Sequence, residues 1–235
     1  ALRPAAAARL GDLPPHDEAA CSMCMGPLAL SLRPMVAQAA LDNGRCWDCH
    51  FNISPMEPEG HFLLVPEIAL PASRRQQRQL QQDCEDLVLI GWASEGRLCV
   101  NFNSPNAGAS QNHIHIHAWA VAEKYPCVRA ASATSLQLGE VDLAVLEWPA
   151  VCVRLRGGTA SAQAAALAAL CDLSPTHNVA VIGQDTLFFA RTPAGEVHPE
   201  LPGLKLGTVQ LLGHCVCDSA AQFDAATRPG VIDAA

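Results

Sequence analysis

Three histidines alternate with isoleucines in the stretch Asn112-His113-Ile114-His115-Ile116-His117. Alternation with period two is typical of a β-strand, in which successive side chains point to opposite faces of the sheet. The pattern continues to Val121, so the sequence predicts a strand over residues 113–121 with the three imidazoles on one face. The isoleucines begin the opposite face, which suits a hydrophobic core.

The residues that precede the histidines are small and polar. They read Asn103-Ser104-Pro105-Asn106-Ala107-Gly108-Ala109-Ser110-Gln111. Gly and Ala let a ligand approach the backbone, and Ser, Asn and Gln supply hydrogen bonds. Backbone N–H groups in such a turn can bind an anion. The sequence therefore predicts a phosphate-binding loop next to the imidazoles.

The histidine row has three interpretations from the residues alone. It can be a metal site, because His is a common metal ligand. It can be a site of covalent catalysis, in which one imidazole attacks phosphorus. It can also be a solvated strand face without chemistry. The donor-lined loop suits a phosphate better than a bare cation, so it favours nucleophilic catalysis.

Several stretches resemble the histidine-triad superfamily and, within it, the GDP-L-galactose phosphorylase-like proteins. They are 52–66, with Gly60-His61 before an apolar run and Pro66, then 103–115, 146–150 and 175–182. The resemblance implies a HIT-like α+β fold of two related α/β halves with an antiparallel sheet, the second half lacking the triad. The predicted parts are an irregular segment 1–45, a half 46–125 that carries the triad, and a half 126–235.

The resemblance also implies an enzyme. His115 would attack the α-phosphorus of a nucleotide conjugate, such as a GDP-hexose or a dinucleotide, and form a covalent nucleotidyl-histidine. His113 would orient His115 or the phosphate. Inorganic phosphate, a sugar phosphate or water would then take the nucleotide away. No cofactor is required for this chemistry, and a homodimer agrees with the resemblance.

His117 departs from the pattern of the transferases. Transferases and phosphorylases of this type usually carry Gln at this position. A histidine is typical of the hydrolase branch, where it can supply a proton to the leaving group. The longer resemblance favours a nucleotidyltransferase or phosphorylase, whereas position 117 favours a hydrolase. A catalytically inactive nucleotide-binding or regulatory protein is the third hypothesis.

The predicted substrate-binding residues come from the loop and from the matching stretches. They are Asn103, Ser104, Ser110, Gln111, Asn112, His61, His177 and Asn178. For two of them, a purely structural role is the alternative to substrate binding. His61 can satisfy a backbone carbonyl, and His177 can cap a turn.

Two Cys-x-x-Cys pairs, Cys21/Cys24 and Cys46/Cys49, suggest a structural zinc site, because four thiolates suit a tetrahedral ion. However, Cys46 and Cys49 lie in a predicted strand, where residues at this spacing face opposite sides. Unligated thiols are therefore the alternative. Related uridylyltransferases bind zinc with such a pair and histidines, so a site that mixes Cys21, Cys24 and His residues is also open.

Composition argues against several classes of protein. The formal net charge is −8. The one basic cluster contains Arg74, Arg75 and Arg78, and it is predicted to be the solvated face of a helix over 72–92. We therefore expect no nucleic-acid partner. No apolar run approaches the ~20 residues that cross a bilayer. The odd count of eleven cysteines suggests a reducing compartment, cytoplasmic or organellar. The start, Ala1–Leu10, fits a trimmed chain or the remnant of a transit region.

Overall fold

The computed structural model describes residues 15–25, 29–53, 55, 60–67, 69–70, 74–121, 125–192, 206–214 and 219–226. Its strands are β1 (Met35–Ala40), β2 (Cys46–Phe51), β3 (His61–Pro66), β4 (Leu98–Asn103), β5 (Ile116–Ala120), β6 (Ser132–Leu138), β7 (Val141–Leu146), β8 (Cys152–Arg156), β9 (His177–Ile182) and β10 (Asp185–Ala190). Its helices are α1 (Gln81–Ala93), α2 (Ala160–Leu173), α3 (Thr208–Leu211) and α4 (Ala220–Ala226), with 3-10 turns at Leu30–Leu32 and Pro126–Arg129. Across these ranges no helix is both long enough and apolar enough to span a bilayer.

The ten strands form one antiparallel sheet in the order β1-β2-β3-β5-β4-β9-β10-β8-β7-β6. Outward from the central pair, β4 and β9, the two halves repeat the same arrangement. The order is β4, β5, β3, β2, β1 on one side and β9, β10, β8, β7, β6 on the other. Helix α1 connects β3 to β4, and α2 connects β8 to β9 in the same way. This repeat confirms the predicted α+β fold of two related halves.

The two helices pack against each other and against the sheet, and they cover the main core. That core contains large, fully buried side chains from both halves, including Trp47, Phe102 and Leu167. Burial of this apolar surface is the main term that stabilises the fold. Gly91 sets the distance between α1 and β9. A Cβ atom there would lie 2.3 Å from Cγ1 of Val181, so only glycine permits this approach.

Local structure departs from the prediction in two places. The helix predicted over 72–92 begins only at Gln81, where the Asp83 carboxylate accepts a hydrogen bond from the Leu80 N–H at 2.8 Å. A strand, β1, lies within the stretch 1–45 that was predicted to be irregular. Strands β9 and β10 form a hairpin, with Gly183 at φ +59° in its turn. The alanine-rich start lies outside the described residues.

Candidate active site

The backbone of His115 is held by the side chain of Gln77. The Gln77 Oε1 accepts a hydrogen bond from the His115 N–H at 2.8 Å, and its Nε2 donates to the carbonyls of His115 and Asn103 at 3.1 and 3.0 Å. These are the backbone groups that a neighbouring strand would otherwise bind. The strand predicted over 113–121 therefore begins at Ile116, and only His117 of the three histidines lies within it. The prediction of one regular strand face was wrong in this respect.

The His115 ring is fixed by its own chain. Its Nδ1 donates to the His113 carbonyl at 2.7 Å, so Nε2 is the nitrogen with a free lone pair. Burial lowers the pKa of His115, and the hydrogen bond to the His113 carbonyl opposes this shift only in part. The ring is therefore neutral at pH 7. A neutral, oriented imidazole is a competent nucleophile.

His117 and His61 face each other across β5 and β3. The His117 Nδ1 lies 2.9 Å from the His61 Nε2, and the His117 ring stands edge-on to His115 with centroids 5.1 Å apart. Burial lowers the pKa of His61 to about 4, and it places the pKa of His117 well below its ordinary value. The structure therefore joins the predicted histidines 61, 115 and 117 into one cluster of neutral imidazoles.

The loop before the histidines is tightly turned. The Ala107 N–H donates to the Ser104 carbonyl at 3.0 Å, and Gly108 has φ +103°, a backbone conformation that favours glycine. Gln111 accepts a hydrogen bond from the Ser22 hydroxyl at 2.9 Å, which joins the loop to the segment before β1. Asn112 accepts from the Gln77 N–H at 3.2 Å, while Ser110 is exposed.

The base of the loop rests on the second half. The Asn103 Oδ1 accepts hydrogen bonds from the Asn178 Nδ2 and the Thr208 hydroxyl, both at 2.6 Å. Asn178 also donates to the Ala107 carbonyl at 2.7 Å and accepts from Arg191 at 2.9 Å. These contacts give both asparagines a role in fixing the loop. Their contact with substrate stays a prediction.

Ser104 and His177 form a second link between the halves. The Ser104 hydroxyl accepts from the His177 N–H at 2.7 Å, and the Ser104 N–H donates to the His177 carbonyl at 3.0 Å. The His177 ring lies between Phe102 and Phe188, and its Nδ1 donates to the Ser174 carbonyl at 2.8 Å. These contacts are typical of a histidine in the core that caps a turn. This is the structural role that was predicted as the alternative to substrate binding for His177.

Four potential metal ligands converge on the outer side of His113. They are His16, Cys21, Cys24 and His113, whose ligand atoms all lie within 4.8 Å of one another. The His113 Nδ1 is 3.7 Å from each Sγ of Cys21 and Cys24, and the His16 Nε2 is 3.7 Å from Cys24. Sulfur and nitrogen ligands of one tetrahedral zinc ion lie about 3.6 Å apart, given bond lengths of ~2.3 and ~2.1 Å. Three of the six separations between these ligand atoms therefore match those around a Zn²⁺ ion.

The ionisation of these ligands agrees with a metal site. Burial and the neighbouring His16 lower the pKa of His113 to about 3, so its imidazole is neutral and able to bind a cation. Burial and the Cys21 thiol raise the pKa of Cys24 to about 12, so a cation is needed to hold the Cys24 sulfur as a thiolate. Cys21 and Cys24 sit in a turn, where the Cys24 N–H donates to the Cys21 carbonyl at 3.1 Å.

The predicted four-cysteine zinc site does not form among the described residues. Cys46 and Cys49 lie in the extended strand β2, and neither joins the cluster of Cys21 and Cys24. The alternative that mixes Cys21 and Cys24 with histidines is the one that the geometry favours. The nine cysteines within the described ranges are all free thiols.

The arginine cluster is not a helix face. Arg74, Arg75 and Arg78 lie before α1 and line a surface cavity of about 560 Å³ together with His16. Arg74 pairs with Glu18, and Arg75 pairs with Asp83. Sequence patterns missed this segment because it has no periodicity. They also missed Gln77 and His16, although His16 shortly precedes the Cys21 pair.

No family model matches the chain. Over 84 residues, or 34% of this chain, it is 39% identical to "GDP-D-glucose phosphorylase 1" of Homo sapiens. It is 37% identical over 81 residues to the protein of the same name from Bos taurus. The matched stretch spans only 20% of the length of each relative.

Solved structures match over more of the chain. Yeast Ap4A phosphorylase in complex with AMP superposes with a TM-score of 0.60 at 19% identity, over 83% of this chain and 73% of that one. The same enzyme in complex with Ap4A gives a TM-score of 0.56 at 17% identity, over 80% and 71%. The chain therefore has the HIT-like fold of Ap4A phosphorylase.

Proposed function

We propose that the chain is a nucleotidyltransferase of the phosphorylase type that cleaves a nucleoside-diphosphate hexose through a covalent nucleotidyl-histidine on His115. The observation that carries the proposal is the 2.7 Å hydrogen bond from the His115 Nδ1 to the His113 carbonyl. It leaves Nε2 as the attacking atom. The local sequence similarity to GDP-D-glucose phosphorylase supports the choice of a GDP-hexose.

The reaction balances without an external reductant, oxidant or base. In the first step, the His115 Nε2 forms a bond to the α-phosphorus, and the bond from that phosphorus to the bridging oxygen breaks. The hexose 1-phosphate leaves with the electron pair. In the second step, inorganic phosphate attacks the same phosphorus and His115 departs as a neutral imidazole. The products are a nucleoside diphosphate and a hexose 1-phosphate, and splitting the transfer lets one pocket serve both steps.

Phosphorolysis of a dinucleoside polyphosphate follows the same two steps with a nucleotide as the leaving group. The fold of yeast Ap4A phosphorylase supports this second substrate class. If water replaces phosphate in the second step, the enzyme is a hydrolase. The two activities differ in whether phosphate accelerates turnover and appears in the product.

Product analysis tests the proposal. The protein is incubated with GDP-hexoses, UDP-hexoses and dinucleoside polyphosphates, with and without phosphate, and products are read by mass. We expect phosphate-dependent formation of a nucleoside diphosphate and covalent labelling by a radioactive donor. His115→Ala should abolish labelling, whereas the control His214→Gln should retain it. Because His115 is only 3% exposed, the labelling also tests access of the nucleotide to Nε2. Labelling of His115→Ala would reject the assigned nucleophile.

We propose in addition that His16, Cys21, Cys24 and His113 hold a structural zinc ion. A closed site of two thiolates and two imidazoles keeps no open position for a reactant, so the ion would contribute stability and not chemistry. The ion would hold the His113 side chain in place, and the His113 carbonyl in turn orients the proposed nucleophile, His115, by accepting a hydrogen bond from its Nδ1.

Metal content tests the zinc proposal directly. We expect close to one zinc per chain in the isolated protein and a loss of zinc and thermal stability in Cys24→Ser. Cys46→Ser is the matched control, because it removes a thiol of the other Cys-x-x-Cys pair, and it should retain the metal. Equal zinc content in Cys24→Ser and the wild-type protein would refute the site.

A further inference from the structure

Three arginines line the surface cavity of about 560 Å³ next to Leu80, where helix α1 begins. They are Arg74, Arg75 and Arg78, three of the chain's 15 basic residues. Because the formal net charge of the chain is −8, this concentration of positive charge is local. A concave surface with several guanidinium groups is suited to a small anion.

Two of these arginines already have a carboxylate partner. Arg74 pairs with Glu18, which is partly exposed, and Arg75 pairs with the buried Asp83. The Arg75 Nη1 also donates to the Arg78 carbonyl at 3.0 Å. These two contacts of Arg75 use only part of the N–H donors of a guanidinium, so Arg75 keeps donors for a further acceptor.

Arg78 differs from the other two arginines. Its side chain is exposed at the wall of the cavity, and no carboxylate pairs with it in the part of the chain that the structure describes. An anion that binds Arg78 therefore breaks no existing ion pair. Arg78 is the arginine that such a ligand can contact at the lowest cost in free energy.

The size and charge of the cavity restrict the class of ligand. Volumes of about 300–1,000 Å³ are typical of sites for small molecules. The planar guanidinium group binds phosphate oxygens through parallel N–H···O hydrogen bonds. A nucleic acid would need a longer basic surface, which an acidic chain with one short basic cluster does not offer.

We infer that this cavity is a binding site for a phosphate group, which Arg78 and Arg75 contact together. The group can belong to free inorganic phosphate or to a nucleotide, because both present the same kind of oxygen atoms. This inference goes beyond the proposed function, since the binding does not require that His115 reacts.

The cavity is connected to the candidate active site through the backbone. The Ile114 N–H donates to the Arg75 carbonyl at 2.9 Å, and the Gln77 side chain binds the backbone of His115. One residue, Arg75, thus presents its guanidinium to the cavity and its carbonyl to the chain between His113 and His115. A ligand that orders Arg75 therefore also orders this part of the candidate active site.

Isothermal titration calorimetry of the full chain with inorganic phosphate tests the inference, with potassium chloride used to keep the ionic strength constant. We expect saturable binding. R78Q should raise the Kd for phosphate by about 10-fold, because it removes a charge-assisted hydrogen bond. R78K should fall between R78Q and the wild type, because lysine keeps the charge but not the planar group.

R129Q is the matched control. Arg129 lies in the second half, it is exposed, and no carboxylate among the described residues pairs with it. It does not line the cavity, so R129Q should leave the Kd for phosphate unchanged. Because neither Arg78 nor Arg129 takes part in an ion pair there, both variants should fold as the wild type does, which circular dichroism can verify.

Titration with a nucleoside 5′-monophosphate distinguishes the two sources of the phosphate group. If the site takes free phosphate, the monophosphate should not displace it. If the site takes the phosphate of a nucleotide, the monophosphate should bind more tightly than inorganic phosphate and lose affinity in R78Q but not in R129Q. Failure of both compounds to bind, or binding that R78Q and R129Q affect equally, would overturn the inference. Since no turnover is measured, the result is independent of the role of His115.

Discussion

Replacement of Gln77 should disable the proposed nucleophile, His115, although Gln77 itself does not react. Gln77→Leu keeps a similar volume but removes the partners of three backbone groups: the His115 N–H and the carbonyls of His115 and Asn103. Gln77 is fully buried, so water does not replace these partners. At about 1–3 kcal/mol for each unsatisfied buried group, and with partial relaxation, the loss of stability is roughly 3–6 kcal/mol.

The effect on activity should exceed the effect on folding. The three bonds fix where the His115 backbone lies, and a displacement of about 1 Å at a reacting group costs on the order of 100-fold in rate. Gln163→Leu is the matched control, because Gln163 is equally buried and loses its bonds to Thr186 and Gly157 in the second half. It should unfold more easily than the wild type, with its folded fraction fully active.

Urea denaturation and kcat/KM of the folded fraction measure the two effects separately. The midpoint should fall in both variants, but kcat/KM should fall by about 100-fold only in Gln77→Leu. If Gln77→Leu retains activity within about threefold once corrected for folding, the side-chain amide does not position His115. Equal losses of activity in both variants would attribute the effect to stability alone.

Two further predictions concern the fold. Burial lowers the pKa of His61 to about 4, so the unfolded chain binds more protons than the native one between pH 6.5 and 4. This contribution to stability is complete above pH 6.5 and is lost as the pH falls toward 4. The free energy of unfolding should fall by up to about 1.4 kcal/mol per pH unit in this range. In urea titrations at several pH values, His61→Phe should show a weaker dependence of this free energy on pH. A parallel slope in the variant would contradict the assignment. Gly91→Ala places a Cβ 2.3 Å from Val181 and should destabilise by about 1–3 kcal/mol, an effect that Val181→Ala should partly offset; simple additivity of the two changes would argue against that contact.

The histidine alternation and the small loop are local signals, so the sequence alone could predict the candidate site. The isoleucines between the histidines are fully buried or nearly so, as the strand pattern requires. The departure at residues 113–115 could not be predicted, because a glutamine amide can bind a backbone from any segment and leaves no periodic signal. Strand β1 was missed for a similar reason. It is an edge strand whose side chains are mostly exposed, so its sequence has no apolar alternation.

The potential metal site shows the limit of spacing arguments. The two Cys-x-x-Cys pairs look alike in the sequence, but one forms a turn and the other continues as a strand. Cys21 meets His113 across a separation of 92 residues, and no local pattern specifies that contact. Cys46 and Cys49 lie in a strand, as the sequence predicted, and residues at this spacing in a strand point to opposite faces.

The pairing of β4 with β9 places a pseudo-two-fold axis at the centre of the sheet. In a dimer of identical subunits, any substitution near such an axis occurs twice, and each surface must complement itself. Here both sides belong to one polypeptide, so each position near the axis can vary alone. That freedom allows a short turn at Gly183 where the other side has the loop 104–115. It also lets Asn178 and Thr208 specialise in holding Asn103 at the base of this loop, beside the proposed reaction centre.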